Sequence, residues 1–413
     1  MKYYFRHAEK KLLQLARNFK AVLVLGARQV GKTTLLTKVF PNFKHIVFDP
    51  IQDIYGVRED PDLFLKNFPP PIILYEVQFV PELLPSLKRF LDKSNSKGQY
   101  FLTGSQNLSV LRSVSESMAG RIGIIPLSGL TTAETTNQGN KKVWLATYLK
   151  NPYSLLTKVG IAENLINLSK VIWRGSLPGL LDIEDEVVPD YLRSYINTYI
   201  ERDVRLLENI QVLSTFGRFI ALAAALTAQE ININQLGREI GITPLTAKKW
   251  LALLNNTYQW LELFPYHNNS IKRLSSKRKG FFCDTGLACH LQRISSPEAL
   301  ACHPKLGAMF ETWVINDIHK QFLYISVSPQ TYHWRTSAGA EVDLVLEQDG
   351  KLYPIEIKCK TVLNKHDTRG IRAFRETYTK QKIMPGLIIY AGDKVYEVAE
   401  EVLAVPWNII PLT

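Results

Sequence analysis

The run AVLVLG at residues 21–26 places an apolar side chain at five successive positions and ends in glycine. Apolar residues at every position, rather than at alternate ones, predict a strand buried on both faces, as in a parallel sheet. TTLLTKVF (33–40) then reads as a helix, and HIVFD (45–49), PIILY (71–75) and QYFLTGSQ (99–106) read as further strands with room for helices between them. Strands that alternate with helices predict a parallel α/β sheet, which we end near residue 135 at the polar, turn-rich TTNQGNKK.

Beyond residue 136 the pattern becomes helical, with candidates at 191–207 and 216–227. Within INQLGREIGITPLTAKKWLALLNN (233–256) a helix, a glycine turn and a second helix follow one another; Thr243 is the expected N-cap and Pro244 the first helical residue. This predicts a winged-helix-like helix-turn-helix at about 231–265. From about 301 the order is helix (FETWVINDIHKQF), strand (EVDLVLEQ), turn at Asp349-Gly350, strand (LYPIEIKCK), helix and strand (GLIIYAG), a second α/β unit. The expected domains are therefore 1–135, 136–300 and 301–413. No internal repeat is present.

The loop that follows the first strand carries the chemistry. Gly26, Ala27, Arg28, Gln29, Val30, Gly31, Lys32 and Thr33 match GxxxxGK[ST] in full, between a strand and a helix. Such a loop wraps phosphates with backbone N–H groups at the positive end of a helix that Lys32, Thr33 and Thr34 open. ATP is the expected ligand, with Lys32 on the β and γ phosphates and the Thr33 hydroxyl on Mg²⁺. The strand PIILY ends in Tyr75-Glu76, where a carboxylate at position 75 would ordinarily support the metal; a neutral phenol serves a hard cation poorly. Glu76 is the candidate base or water-orienting group. Asp49 is a candidate compensating metal ligand or a strand-end turn residue. Ser105 is a candidate γ-phosphate contact or a loop cap, and Arg121 a candidate charge-stabilising arginine or a structural ion-pair residue.

These motifs, with REDPDLFL, ILYEVQFVPELLPSLK, YFLTGSQNLSVL, SMAGRI, YINTYIERDV, FCDTGLACHL, FETWV, EVDLVLEQ and PIEIK, occur in the order seen in a large family of prokaryotic ATP-binding proteins, which this chain resembles over almost its whole length. That family pairs an AAA-type ATPase domain with a C-terminal domain of unknown function that looks like the restriction-endonuclease fold. The resemblance implies ATP binding by residues 26–33. Family members usually carry Asp where this chain has Tyr75, so hydrolysis is the inherited property that the change weakens.

Asp343, Glu356 and Lys358 resemble the acid–acid–lysine pattern of metal nucleases. The two-residue period of a strand puts Glu356 and Lys358 on one face, and a hairpin across Asp349-Gly350 would bring Asp343 towards Glu356. Glu311, on the preceding helix, supplies a further acid. Asp343, Glu356 and Glu311 would hold Mg²⁺ while Lys358 orients water against a phosphodiester; a salt-bridged sheet is the alternative.

Charge adds a partner. Lysine and arginine total 50 against 38 acidic residues, a net charge of +12, which suits DNA as well as a phosphate ligand. Lys248 and Lys249 on the second helix and the basic IKRLSSKRKG (271–280) are candidate DNA contacts. The four cysteines lack metal or disulfide spacing, and charges run through the N-terminal segment. A cytoplasmic protein is expected, with no membrane span and with a homo-oligomer or a protein partner left open. Two functions are consistent with these readings: an ATPase coupled to a nuclease-like domain, and a nucleotide-dependent switch without efficient hydrolysis or cleavage.

Overall fold

The computed structural model describes residues 2–104, 118–162, 165, 167–204, 213–269, 273 and 277–412. They divide into two compact units, one of Phe5–Gly129 with Asn256–Tyr258 and one of the remaining described residues.

In the first unit, helix α1 (Ala8–Asn18) leads into β1 (Ala21–Leu25), whose five residues are all buried. Helix α2 (Lys32–Val39), β2 (Lys44–Val47), α3 (Pro61–Asn67), β3 (Ile72–Tyr75), α4 (Leu83–Lys93), β4 (Tyr100–Gly104) and β5 (Ile122–Pro126) follow. The five strands form one parallel sheet in the order β2-β3-β4-β1-β5. Continuous burial of β1, β3 and β4 is why their sequences are apolar at every position. β4 stands between β1 and β3, with Leu102 beside Leu23 on one side and Leu74 on the other. The carboxyl ends of β1, β3 and β4 therefore open together at the point where the chain reverses its order across the sheet, the place where open α/β sheets bind ligands.

In the second unit, helix α5 (Leu213–Ala225), β6 (Gln229–Glu230), α6 (Ile233–Ile240), α7 (Pro244–Asn256), β7 (Trp260–Pro265) and β8 (Lys279–Phe282) form the helical middle and its small sheet. Gly241, with φ 79°, ends α6, and the Thr243 hydroxyl accepts from the Thr246 N–H to start α7. Phe216 and Phe219 of α5 meet the Trp250 ring of α7 edge-on, with centroids 5.2 and 5.3 Å apart. β8 pairs antiparallel with both β6 and β7.

Helix α8 (Leu306–Gln321), β9 (Gln330–Arg335), β10 (Glu341–Gln348), β11 (Lys351–Lys358), α9 (Arg369–Thr377), β12 (Gly386–Tyr390), β13 (Tyr396–Ala399) and β14 (Val402–Pro406) complete the unit. The strand order β13-β14-β12-β11-β10-β9-β7-β8-β6 makes one mixed sheet. Because β9 pairs with β7 at Tyr332↔Phe264 and His333↔Pro265, that sheet runs unbroken across residue 300. No helix among the described residues is long and apolar enough to cross a membrane.

Candidate functional sites

The loop from Gly26 to Gly31 leaves the buried end of β1 and enters α2. Gly26 has φ 152°, and a Cβ there would lie 2.0 Å from the Leu127 carbonyl oxygen, so glycine alone fits. Gln29 and Gly31 also have positive φ, 59° and 91°. The Lys32 side chain is buried and donates to the carbonyl oxygens of Gly26 and Ala27, each at 2.8 Å. It thus lies folded over the loop in which a phosphate group would be received. Thr33 and Thr34 are exposed on the first turn of α2.

Tyr75 is buried, and its hydroxyl stands 3.1 Å from Thr37 Oγ1, one turn beyond Thr33 on α2. The Thr37 hydroxyl donates to the Thr33 carbonyl at 2.9 Å, so the phenol supports α2. Burial pushes the Tyr75 pKa up, against the opposing effect of Thr37, and the group stays neutral. Glu76 follows in the left-handed region (φ 60°, ψ 45°), a conformation that costs a non-glycine residue of order 1–3 kcal/mol. Its N–H donates to Thr103 Oγ1 of β4 at 3.1 Å, and its carboxylate accepts from Gln78 Nε2. Thr103 and Gln78 escaped the sequence reading; the one signal for Thr103 was a lone polar residue inside the apolar run QYFLTG.

Two expected members of this site lie elsewhere. Asp49 follows β2, the edge strand, three strand spacings or about 14 Å from β1. Its Oδ1 accepts from the N–H groups of Ile51 (2.7 Å) and Gln52 (2.9 Å), as in a strand-end turn. Arg121 precedes β5, whose Ile122 pairs with Ala21 at the start of β1; the loop is at the opposite end, roughly 13 Å or more away. Arg121 forms an ion pair with Asp92 through Nε, and its Nη2 donates to Asp92 Oδ2 at 3.2 Å. Ser105 lies outside the described residues.

A second cluster lies in the other unit. The register Leu344↔Ile355 places Asp343 opposite Glu356 one step further on, both buried. Asp343 Oδ2 accepts from the Ile357 N–H at 2.8 Å, and Lys358 Nζ donates to Glu356 Oε2 at 2.6 Å. Glu356 is packed so tightly under α9 that a Cβ at Gly370 would lie 1.9 Å from its Oε1. Burial first, then the Asp343 charge, push the Glu356 pKa up to about 8 against the pull of Lys358.

The residue that changes this cluster is Lys279 of β8, which sequence reading placed in a basic run and not here. Its ammonium is 2.6 Å from Glu311 Oε1 and 3.5 Å from Asp343 Oδ1. Burial and then Asp343 push the Glu311 pKa up to about 8; burial works against the Lys279 charge, but Glu311 and Asp343 hold its pKa above the usual value. Beside them opens a cavity of about 350 Å³ that His333, Arg335 and Glu341 also line. Burial, then Lys279, press the His333 pKa down to about 4, so the imidazole is neutral.

The three acids expected to hold Mg²⁺, Glu311, Asp343 and Glu356, thus share their surroundings with two lysines, Lys279 and Lys358. A fixed ammonium stands between two of the three acids, and no set of three His, Cys, Asp or Glu among the described residues is arranged to hold a metal ion. Of the expected DNA contacts, Lys248, Lys249, Lys277 and Arg278 are exposed, with Arg278 paired to Glu262 at 2.7 Å, while most of 270–276 lies outside the described residues.

Comparison with known proteins gives a family for the domain that contains the first site. Residues 18–136 match the family described as AAA domain, residues 165–298 a domain of unknown function (DUF8612), and residues 306–410 a domain of unknown function (DUF4143). Uncharacterized proteins of Mycobacterium bovis and Mycobacterium tuberculosis are each 28% identical over 410 residues, 99% of this chain and 85% of the relative. Among solved structures, a Walker-type ATPase of Pyrococcus abyssi is 14% identical with a TM-score of 0.39, covering 71% of this chain and 99% of that one. The RuvB Holliday junction branch migration motor of Thermotoga maritima is 17% identical with a TM-score of 0.30, covering 62% and 89%. The chain thus carries an AAA domain at residues 18–136 and a C-terminal domain of unknown function (DUF4143) at residues 306–410.

Proposed function

We propose that this chain binds ATP at residues 26–34 and hydrolyses it slowly, and that nucleotide state governs how the winged-helix and C-terminal regions engage DNA. The observation that carries the reading is the complete phosphate loop, with Glu76 held at the neighbouring strand end beside a neutral Tyr75.

In this reading Lys32 leaves the carbonyls of Gly26 and Ala27 for the phosphates, while the loop N–H groups surround them. Thr33 is the group that would hold Mg²⁺, with Glu76 as the nearby carboxylate; bound there, the ion neutralises charge on the β and γ oxygens. Glu76 orients the attacking water and accepts its proton. Because the Tyr75 phenol is engaged with Thr37 and uncharged, nucleotide affinity rests on the loop and turnover is slow.

DNA would meet Lys248 and Lys249 on α7 and Lys277 on the strand connection through phosphate contacts, which weaken as salt rises. Cleavage is the second reading. Asp343 opposite Glu356, with Lys358 on the same face, has the layout of a restriction-endonuclease-like site. The Lys279 ammonium between Glu311 and Asp343 favours binding without cutting.

The test is ATP affinity by calorimetry together with steady-state phosphate release in Mg²⁺, for wild type, Lys32→Ala and Tyr75→Asp. Wild type is expected to bind ATP and release phosphate slowly, Tyr75→Asp to release it faster, and Lys32→Ala to do neither. A wild type that matches Lys32→Ala in both assays sinks the reading, and binding without release in wild type and Tyr75→Asp alike leaves a switch.

A further inference from the structure

A loop that turns its N–H groups towards a phosphate must turn carbonyl groups the other way, and a buried carbonyl needs a donor. Val30 is 2% exposed and sits between two residues of positive φ, Gln29 and Gly31. Its donor comes from the far N-terminal side of the domain. Arg6, itself 5% exposed, donates from Nη1 to the Val30 carbonyl at 2.8 Å and from Nη2 to the Ser128 carbonyl at 2.8 Å.

Ser128 belongs to the segment that also holds the other corner of the loop. The Leu127 N–H donates to Leu25 O at 2.6 Å, and the Leu127 carbonyl is the atom against which Gly26 packs. Residues 127–128 thus brace the loop at Gly26 directly and at Val30 through the Arg6 guanidinium. Lys32 is a third brace, through the carbonyls of Gly26 and Ala27, but it is the one that phosphate binding must release.

We propose that Arg6 is a positioning residue for phosphate binding: it keeps the loop in its receiving shape after Lys32 has moved to the nucleotide. The inference rests on the reading of residues 26–34 as the ATP site.

Calorimetric titration of the full chain with ATP and with AMP, for wild type, Arg6→Met, Arg6→Lys and Lys32→Ala, separates the two. Arg6→Met is expected to weaken ATP binding about 10- to 100-fold, the effect of losing hydrogen bonds from a charged donor. AMP, whose single phosphate spans less of the loop, should lose much less. Arg6→Lys keeps the charge and one donor and should fall between wild type and Arg6→Met, which also guards against a methionine variant that folds poorly. Equal losses for ATP and AMP would mean a general structural role and overturn the proposal. So would wild-type ATP affinity in both Arg6 variants while Lys32→Ala fails to bind, an outcome that leaves the ATP site itself standing. No ATP binding by wild type overturns the ATP reading and this inference together.

Discussion

Lys32 and Lys279 are buried to nearly the same degree, 7% and 9% exposed, yet they stand in opposite surroundings. Lys32 donates to carbonyl oxygens of its own loop, at 2.8 Å each. Both are uncharged oxygens, which a phosphate group can replace on the ammonium. Lys279 faces the carboxyl groups of Glu311 at 2.6 Å and Asp343 at 3.5 Å, two acids of the same unit rather than backbone carbonyls. A buried cation therefore marks a ligand site when its partners are dipoles, and a structural post when they are ions.

The comparison breaks most readily at Lys279. Lys279→Met leaves Glu311 and Asp343 buried without their counter-charge, and removal of one partner from a buried pair typically costs about 3–5 kcal/mol. Denaturant unfolding of the full chain, followed by a probe in the C-terminal unit, should show a loss of that size. Lys32→Met removes the donor from the Gly26 and Ala27 carbonyls and should cost the protein less. If the two variants unfold alike, the distinction between dipole-held and ion-held lysines fails here.

The same distinction explains what could be read from the chain. β1, the phosphate loop and the start of α2 are contiguous, and local pattern was enough to place Gly26, Lys32 and Thr33 together. Tyr75 and Glu76 were legible because an apolar run ends at them. Residues that act across the fold were not. Arg6 reaches Val30 and Ser128, and Thr103 reaches Glu76, only because of how strands and segments are ordered in space. Asp49 was expected beside the loop because it ends an adjacent stretch of sequence; strand order puts β3 and β4 between them. Lys279 was hidden for another reason. It is the last residue of a basic run, and only the antiparallel pairing of β8 with β6 and β7 turns it into the cluster rather than out to solvent.

A finer test uses pH. Glu311 and Glu356 have pKa values raised from an ordinary 4.5 to about 8, by burial first and by Asp343 next. Between those pH values the folded protein holds protons that the unfolded chain has lost. Stability of the C-terminal unit should therefore decline as pH rises from about 4.5 to about 8, and level off above. Glu356→Gln removes one of the two groups and should flatten the slope of unfolding free energy against pH across that window. An unchanged slope would mean that Lys358 keeps Glu356 ionised across the window and that Glu356 contributes nothing to the decline.

The smallest effect is expected at Arg121, where the ion pair is exposed. Arg121 and Asp92 face solvent, and each holds the other in its charged form: the hydrogen bond to Arg121 is the main cause that lowers the Asp92 pKa, and the bond to Asp92 the main cause that raises that of Arg121. Water and salt screen such a pair, so it does little for folding. Its place at the amino end of β5 also puts it at the opposite end of β1 from Lys32. Arg121→Ala should thus leave both ATP affinity and the phosphate release of the same chain as they are in wild type, at low and at moderate salt. A fall in release with affinity intact would show that an arginine so far from its own loop acts on a phosphate group bound by another copy of the chain. The phosphate site would then need a second subunit, whose Arg121 adds its charge to that of Lys32 at the nucleotide.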